Sequence, residues 1–478
     1  MPDQVRHDEV GIKSGQLNRT DPRGVAAEPS GNRRSYRLVG ASVGGARRHE
    51  PGHSAFERSR CLKILFVTWD GPQVNYLESL FLPIFAGLRP HGFEFDVLQF
   101  RFGTAAQEEA VRAACAAAGC GYTSARIWRW GPPGAFASAL RGGLDIRRAL
   151  RRSRADAIMP RSVLPSLALL ASGAVGRTPV LMDADGLEID ERAEFAGLKT
   201  TGPIYRLLRD IEAQMVRRST AILTRTEATR EILMARAGPP ADPSKYTIVT
   251  NGRDEKIFHP SDEQSRRAVR AELGIAADAP LLVYAGSLGG RYRTRRIGEL
   301  ALELRALRPD ARLLVLSGSP EVAQRELIEP LPGLADFTIV RRAPPEEVPR
   351  YLAAADAGTA FISASFSTLG ISPVKTGEYL LCGVPIVGTL QVGDNALPLA
   401  AGVFFDDRRS DLEAARWIVE EVLPNRETYR ERARAVGVER LSLGRSVRDY
   451  RDALANLARL GGPRRQASDW SRLTKRGA

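Results

Sequence analysis

The sequence predicts an α/β protein of two Rossmann-like, doubly wound domains that face a central cleft. Three observations carry that prediction. Short apolar runs alternate with amphipathic stretches, which implies parallel strands covered by helices on both faces. The alternation pauses near Asn251-Gly252 and then starts again, so the series divides into two. A glycine-bearing loop follows the first strand of each series, at the strand end where such sheets bind ligands.

Taken in order, residues 1–60 are rich in Arg, Gly, Ser and Pro, lack apolar periodicity and read as a disordered basic extension. They contain no apolar signal core, and their acidic residues argue against a transit peptide. The stretch from Lys63 to Thr68 is a buried strand, followed by the loop Trp69-Asp70-Gly71-Pro72. Leu77, Leu80, Phe81, Ile84 and Leu88 then mark one face of a helix. Further strands are expected at 95–98, 122–129, 156–161, 178–183, 220–224 and 246–250. The cluster Arg147, Arg148, Arg151, Arg152 and Arg154 lies on an intervening helix. A solvated face is its plain reading, and a membrane-facing patch is the alternative. Pro260 and the polar stretch to Glu272 read as an interdomain link.

The second series opens with the strand Leu281 to Ala285, the loop Gly286-Ser287-Leu288-Gly289-Gly290 and a helix with Ile297, Leu300, Ala301 and Leu304 inward. Strands follow at 312–316, 337–340, 358–362 and 384–388, then helices over 409–423 and 426–460. The expected division is 1–60, 61–252, 253–445, a helix over 446–460 placed to return to the first domain, and a disordered tail over 461–478.

Composition excludes several functions. The chain has 478 residues, 43% hydrophobic and 26% charged, ordinary for a globular protein. Its longest apolar stretch, near Val163 to Val175, falls short of the roughly 18–20 residues that a membrane span needs. The net charge of +13 resides mainly in the ends, with +4 in residues 1–60 and +4 in 461–478. No folded basic face with stacking aromatics points to nucleic acid. An acidic substrate or an anionic membrane surface suits the charge better. Cys61, Cys115, Cys120 and Cys382 show no paired spacing, which fits a reducing cytoplasm. Five scattered histidines supply neither a metal cluster nor a Ser-His-Asp triad.

The most informative stretch runs from Gly370 to Val387. Ser372 can cap a helix, Pro373 suits its first position, and Gly383 can stop it. The free N–H groups of such a helix start suit a phosphate. Lys375 and Glu378, three residues apart, project from one face. A cation beside phosphates and a carboxylate one turn deeper could hold a nucleotide by its diphosphate and its ribose hydroxyls. A solvated Lys–Glu pair on a capped helix is the plainer alternative.

Five motifs in order then carry a resemblance over Lys63 to Leu457. They are Trp69-Asp70-Gly71-Pro72, Asp190-Glu191-Arg192, and Asn251-Gly252-Arg253-Asp254 with Phe258 and Pro260. The other two are Gly286 to Tyr292, and Ser372-Pro373-x-Lys375-x-x-Glu378-Tyr379 closing on Gly383-x-Pro385. Together they resemble the family-4 glycosyltransferases, which have two Rossmann-like domains in the GT-B fold. The resemblance implies a retaining transfer of a sugar from a nucleotide-diphosphate sugar to a glycan or lipid-linked acceptor, in cell-surface polysaccharide or glycolipid assembly. It also implies a hexosyltransferase-like, metal-independent enzyme with no tightly bound cofactor, cytoplasmic or peripheral at the inner membrane face. The first domain would take the acceptor and the second the donor.

By the same resemblance Lys375 and Arg291 would attend the diphosphate, and Glu378 the ribose. Gly71, Gly289 and Gly290 would let the donor approach, and Leu369, Gly370, Ile371 and Ser372 would meet its sugar. Arg291 reads equally as one surface cation of an Arg-rich stretch. Two departures stand out. Gly370 occupies the position of the family's first paired acid, and Asp185 stands where relatives carry Arg in Asp-x-Arg-Gly. Asp185 is thereby a catalytic candidate, and Asp183 and Glu188 are candidates for acceptor hydroxyls. The alternatives are a nucleotide-sugar epimerase and a non-catalytic nucleotide-binding relative.

Overall fold

Among the described residues, thirteen strands, all paired in parallel, build two sheet regions. The computed structural model describes residues 61–461 apart from 72–75, 129, 240 and 394. The expectations for 1–60 and for the tail past Gly461 lie outside the described residues. Both sheet regions belong to one unit of the chain, Arg58–Ala478.

In the first region, β1 (Leu62–Asp70), β2 (Phe93–Arg101), β3 (Gly121–Arg126) and β4 (Ala157–Pro160) pair in the order β3-β2-β1-β4. The strands β5 (Leu181–Asp183), β6 (Ala221–Thr224) and β7 (Tyr246–Ile248) form the order β5-β6-β7. Single parallel bridges, Ile158 to Val180 and Arg161 to Asp183, carry β4 into β5. The second region pairs β8 (Leu281–Ala285), β9 (Arg312–Leu316), β10 (Thr338–Arg341), β11 (Ala357–Ala360), β12 (Ile386–Gly388) and β13 (Phe404–Asp406) as β10-β9-β8-β11-β12-β13. In both regions the order reverses beside the first strand, which opens a crevice at the carboxyl ends of the strands. Continuous apolar runs such as Ile64-Leu65-Phe66-Val67 follow from burial on both sheet faces.

Three sequence expectations change. The polar stretch before Glu272 is not a link but the helix Glu263–Glu272, capped by Asp262. Its Arg266 and Arg270 are buried and meet the buried Asp356 at 2.9 and 2.7 Å. The helix expected over 426–460 is two, Arg426–Leu441 and Leu443–Leu460, because Ser442 is extended and caps the second. At the other end, Ser372 does not cap the helix Val374–Leu381. Pro373 stands at the cap position with no side-chain bond.

The break at Ser442 is where the chain crosses between regions. Arg253 N–H donates to the Leu441 carbonyl and Leu443 N–H to the Arg253 carbonyl, so the two crossings run side by side. Gly252 is required there, since a Cβ on it would lie 2.0 Å from the Ser442 carbonyl oxygen. The helix Leu443–Leu460 then packs Tyr450, Ala453, Leu454 and Leu457 into the core of the first region, with Phe85 and Leu223.

Candidate functional site

The helix Val374–Leu381 starts over the carboxyl ends of β8 and β11, and its apolar side seats Tyr379, Leu380 and Leu381 in the core. That packing fixes Lys375, which lies buried beneath the loop that follows β8. Lys375 Nζ donates to Tyr284 Oη at 3.0 Å and sits 4.1 and 4.3 Å from the ring centres of Tyr284 and Tyr292. A Cβ on Gly286 would meet that amine at 3.1 Å, and Gly286 has φ +133°. The glycine therefore brings loop backbone against the ammonium. Burial pushes the Lys375 pKa down to about 7, against the pull of Glu378.

Glu378, one turn on, pairs with Arg253 Nε at 3.0 Å. Burial raises its pKa while Arg253 and Lys375 lower it. A cavity of about 290 Å³ opens beside it, reaching Gly286 after β8, Ser317 and Gly318 after β9, and Ser79 of the first region. The Arg253 guanidinium also donates to the Ser79 carbonyl. Glu378 is thus held at the rim of a cavity that both regions line.

Across the crevice, Asp183 ends β5 fully buried and accepts from Arg225 at 2.9 Å. Burial raises its pKa against that guanidinium. Asp185 has φ +54°, an unusual conformation for a residue with a side chain, and pairs with Arg161. Arg225 also approaches Asp185 at 3.7 Å. Asp70, at the end of β1, accepts from Thr68 and Gln99, each at 3.0 Å, and burial raises its pKa. Glu188 accepts from Ser162 Oγ and Arg192, and so is engaged at the start of the helix Val163–Ser172.

The remaining expected residues fall at the seam between regions. Arg291 pairs with Glu191, so in this structure it faces a carboxylate of the first region. Gly289 and Gly290 both have positive φ, and only Gly290 has open space where a Cβ would stand. Gly71 has a Cβ position 3.3 Å from the Phe102 ring. The Leu369 carbonyl accepts from Thr226 at 2.9 Å, and the Ser372 carbonyl from Asn251 at 3.1 Å. A Cβ on Gly370 would lie 2.8 Å from Thr229 Oγ1 and 3.1 Å from Leu187 N. The Ile371 carbonyl lies 2.0 Å from a Cβ position on Gly393. The structure thus gathers Lys375, Glu378, Gly286 and Arg253 on one side of the seam. Asp183, Asp185, Arg161 and Arg225 cluster on the other.

Sequence reasoning passed over Arg161 and Arg225, and quoted Asp70 and Arg253 without assigning either a role. The available signal was position. Arg161, Arg225 and Asp70 each stand at or just past the carboxyl end of a buried strand, where a charge has no structural reason to be. Glu194 was missed too. It accepts from Ser365 Oγ at 2.7 Å and from Ser367, and so ties the helix Glu188–Phe195 to the loop before Gly370.

Residues 80–252 match the family of glycosyl transferase 4-like domains. An alpha-maltose-1-phosphate synthase of Mycolicibacterium smegmatis is 25% identical over 193 residues, 39% of this chain and 47% of that protein. A D-inositol 3-phosphate glycosyltransferase of Kineococcus radiotolerans is 30% identical over 187 residues, 37% of this chain and 41% of that protein. The chain therefore spans less than half the length of these relatives. In fold it resembles HepE of Anabaena, solved with UDP and glucose, at a TM-score of 0.58 and 15% identity over 82% of this chain and 99% of that one.

Proposed function

We propose, for a chain that belongs to the family-4 glycosyltransferases of GT-B fold, a retaining transfer of a sugar from a nucleotide-diphosphate donor to a hydroxyl acceptor. The observation that carries the reading is the pair Lys375 and Glu378 on one helix face, the first against the glycine loop after β8 and the second at the rim of the 290 Å³ cavity. The nucleoside fits that cavity, with its ribose hydroxyls on Glu378. The diphosphate then reaches the Lys375 ammonium and the N-terminus of the helix. The bond from the anomeric carbon to the diphosphate breaks, the acceptor oxygen bonds to the same face, and the acceptor proton passes to the departing phosphate oxygen. Cationic stabilisation of that leaving group is the largest service the side chains supply. No residue in this scheme requires a metal ion. The Asp183–Arg225–Arg161–Asp185 cluster faces the seam from the acceptor side, where it can orient a sugar hydroxyl.

A thermal-shift screen of UDP-, GDP- and ADP-sugars tests the donor class, because a ligand bound only by the folded state raises its melting temperature. UDP-glucose is the first probe, given what HepE was solved with. Release of free nucleotide diphosphate with a glycosylated acceptor supports transfer. An epimerised nucleotide sugar, or binding with no turnover on any acceptor, would replace this reading with one of the two alternatives.

A further inference from the structure

A hollow of about 1100 Å³ opens at the carboxyl ends of β2 and β3, against about 290 Å³ for the cavity beside Glu378. None of the residues given a part in transfer lines it. Arg101 and Arg126 are register partners on the last rung of the two strands, and both line the hollow. Arg101 is buried and engaged. Its Nη1 donates to Glu108 at 2.8 Å, and Glu108 also accepts from Ser124 Oγ at 2.7 Å. Arg126 is exposed, and among the described residues no acid pairs with it. The hollow therefore offers an uncommitted guanidinium.

An aromatic wall borders the same hollow. Trp128 and Trp130 have ring centres 5.4 Å apart and planes within 13° of each other, and the Arg141 guanidinium lies 5.7 Å from the Trp128 ring. Trp130 stays 71% exposed. A single exposed apolar side chain needs no explanation, but this wall is held in place. Trp128 N–H donates to Ser138 Oγ at 2.7 Å, and that hydroxyl donates to the Gly134 carbonyl at 2.7 Å. Ser138 is a buried residue of the helix Gly131–Ser153. A Cβ on Gly134 would lie 2.6 Å from the Trp128 carbonyl oxygen, so glycine is what lets the helix approach the wall. Anchored indoles lose little freedom when a ligand arrives. At its other side the hollow includes Phe102, whose ring lies 3.3 Å from a Cβ position on Gly71. The hollow thus abuts the loop after β1, at the strand end of the crevice.

We infer that this hollow binds a sugar of the acceptor chain other than the one that receives the transferred unit, and that the bound sugar is anionic. The inference deepens the transfer reading and rests on it for the ligand's being an acceptor. A pyranose presents an apolar C–H face edged by hydroxyls, which suits the negative face of an indole. Small-molecule sites run to roughly 300–1,000 Å³, so a hollow of about 1100 Å³ has room for a short oligosaccharide. The planar fork of Arg126 matches a carboxylate or a phosphate on that oligosaccharide. A neutral chain would leave the guanidinium without a partner. The acceptor this surface selects is an already elongated glycan that carries a uronate or a sugar phosphate.

The test is calorimetric titration of the full chain with trigalacturonic acid, phosphorylated maltotriose and plain maltotriose. One of the two anionic probes should bind more tightly than maltotriose, and which one does so distinguishes carboxylate from phosphate. Arg126→Ala should weaken that probe by about tenfold or more, as loss of a charged hydrogen bond does, and bring it level with maltotriose. Trp130→Ala should weaken it by roughly two- to tenfold, the range of an aromatic contact. Both side chains are exposed, so both variants should keep the wild-type melting temperature and nucleotide-sugar affinity. A wild type that binds none of the three probes would overturn the inference, and so would variants that bind them undiminished. Either result beside intact transfer to a simple acceptor would leave the transfer reading standing. Glycan binding that depends on Trp130 and Arg126, in a protein that binds no nucleotide sugar, would support the hollow as a glycan site and remove the transfer reading.

Discussion

Arg253 and Glu378 are joined by an ion pair of 3.0 Å between a residue of the crossing segment and one of the helix Val374–Leu381. Both side chains are less than a fifth exposed, and Arg253 also reaches the Ser79 carbonyl of the first region. Arg253 therefore links the ribose-binding candidate to the place where the chain passes between regions. Glu378→Gln keeps the shape and loses the charge. Donor affinity should fall by roughly 1.5–3 kcal/mol, the range for a charged hydrogen bond. Donor titration by calorimetry checks this, and unchanged affinity would remove Glu378 from the site.

Lys375 has the second consequence, and it depends on pH. Its folded pKa is about 7, below the ordinary 10.5. Between those values the unfolded chain holds a proton that the folded one lacks, so the lysine's contribution to stability rises with pH across that window. Below about pH 7 the cost of burying the charge is fully present. Lys375→Met should therefore melt above the wild type near pH 6, and the gap should close as pH rises towards 10. A diphosphate selects the ammonium form. Wild-type donor affinity should accordingly weaken above pH 7, and single-turnover transfer by Lys375→Met should be slow at every pH. A constant melting difference across that range would contradict the burial on which the role rests.

How much of this was legible in the sequence depends on whether the cause was local. Twelve of the described strands were expected from the alternation of strand and helix stretches, while β13, Phe404-Phe405-Asp406, was not. The strands β5, β7 and β12 are equally short, so length is not the reason. The helix Glu263–Glu272 read as a link because Arg266 and Arg270 look like solvent-facing charges, and their partner Asp356 is far away in sequence. Lys375 and Glu378 were legible because they share one helix face. The pairing of Glu378 with Arg253, of Arg291 with Glu191, and of Asp185 with Arg161 was not, since each joins segments that only the folded sheets bring together.

Gly370 invites restoration of the missing acid, and the structure argues against it. Its Cβ position is 2.8 Å from Thr229 Oγ1, 3.0 Å from Leu187 Cγ and 3.1 Å from Leu187 N. The hydroxyl can turn away, but the backbone nitrogen cannot. Gly370→Glu should lose rather than gain transfer, and Gly370→Ala should destabilise by roughly 1–3 kcal/mol, as overpacking does. Chemical denaturation of Gly370→Ala and an activity assay of Gly370→Glu check the two halves. A more active Gly370→Glu would mean that the loop can move to admit a side chain.

Arg291 and Glu191 offer the clearest test of whether the seam regulates donor binding. By the family resemblance Arg291 would meet the diphosphate, yet here it pairs with a carboxylate of the facing region. The two cannot hold the same guanidinium fully, so Glu191 competes with the donor. Burial raises the Glu191 pKa, and the Arg291 guanidinium pulls it back down. Glu191→Gln should then tighten donor binding by a few-fold, in line with about 0.2–1 kcal/mol for a partly exposed pair. Arg291→Ala should weaken it, and the double variant should match Arg291→Ala alone, since Glu191 acts only through the arginine. The measurement is donor affinity across that four-member cycle. If Glu191→Gln has the same effect whether or not Arg291 is present, the two side chains act independently and the competition does not exist.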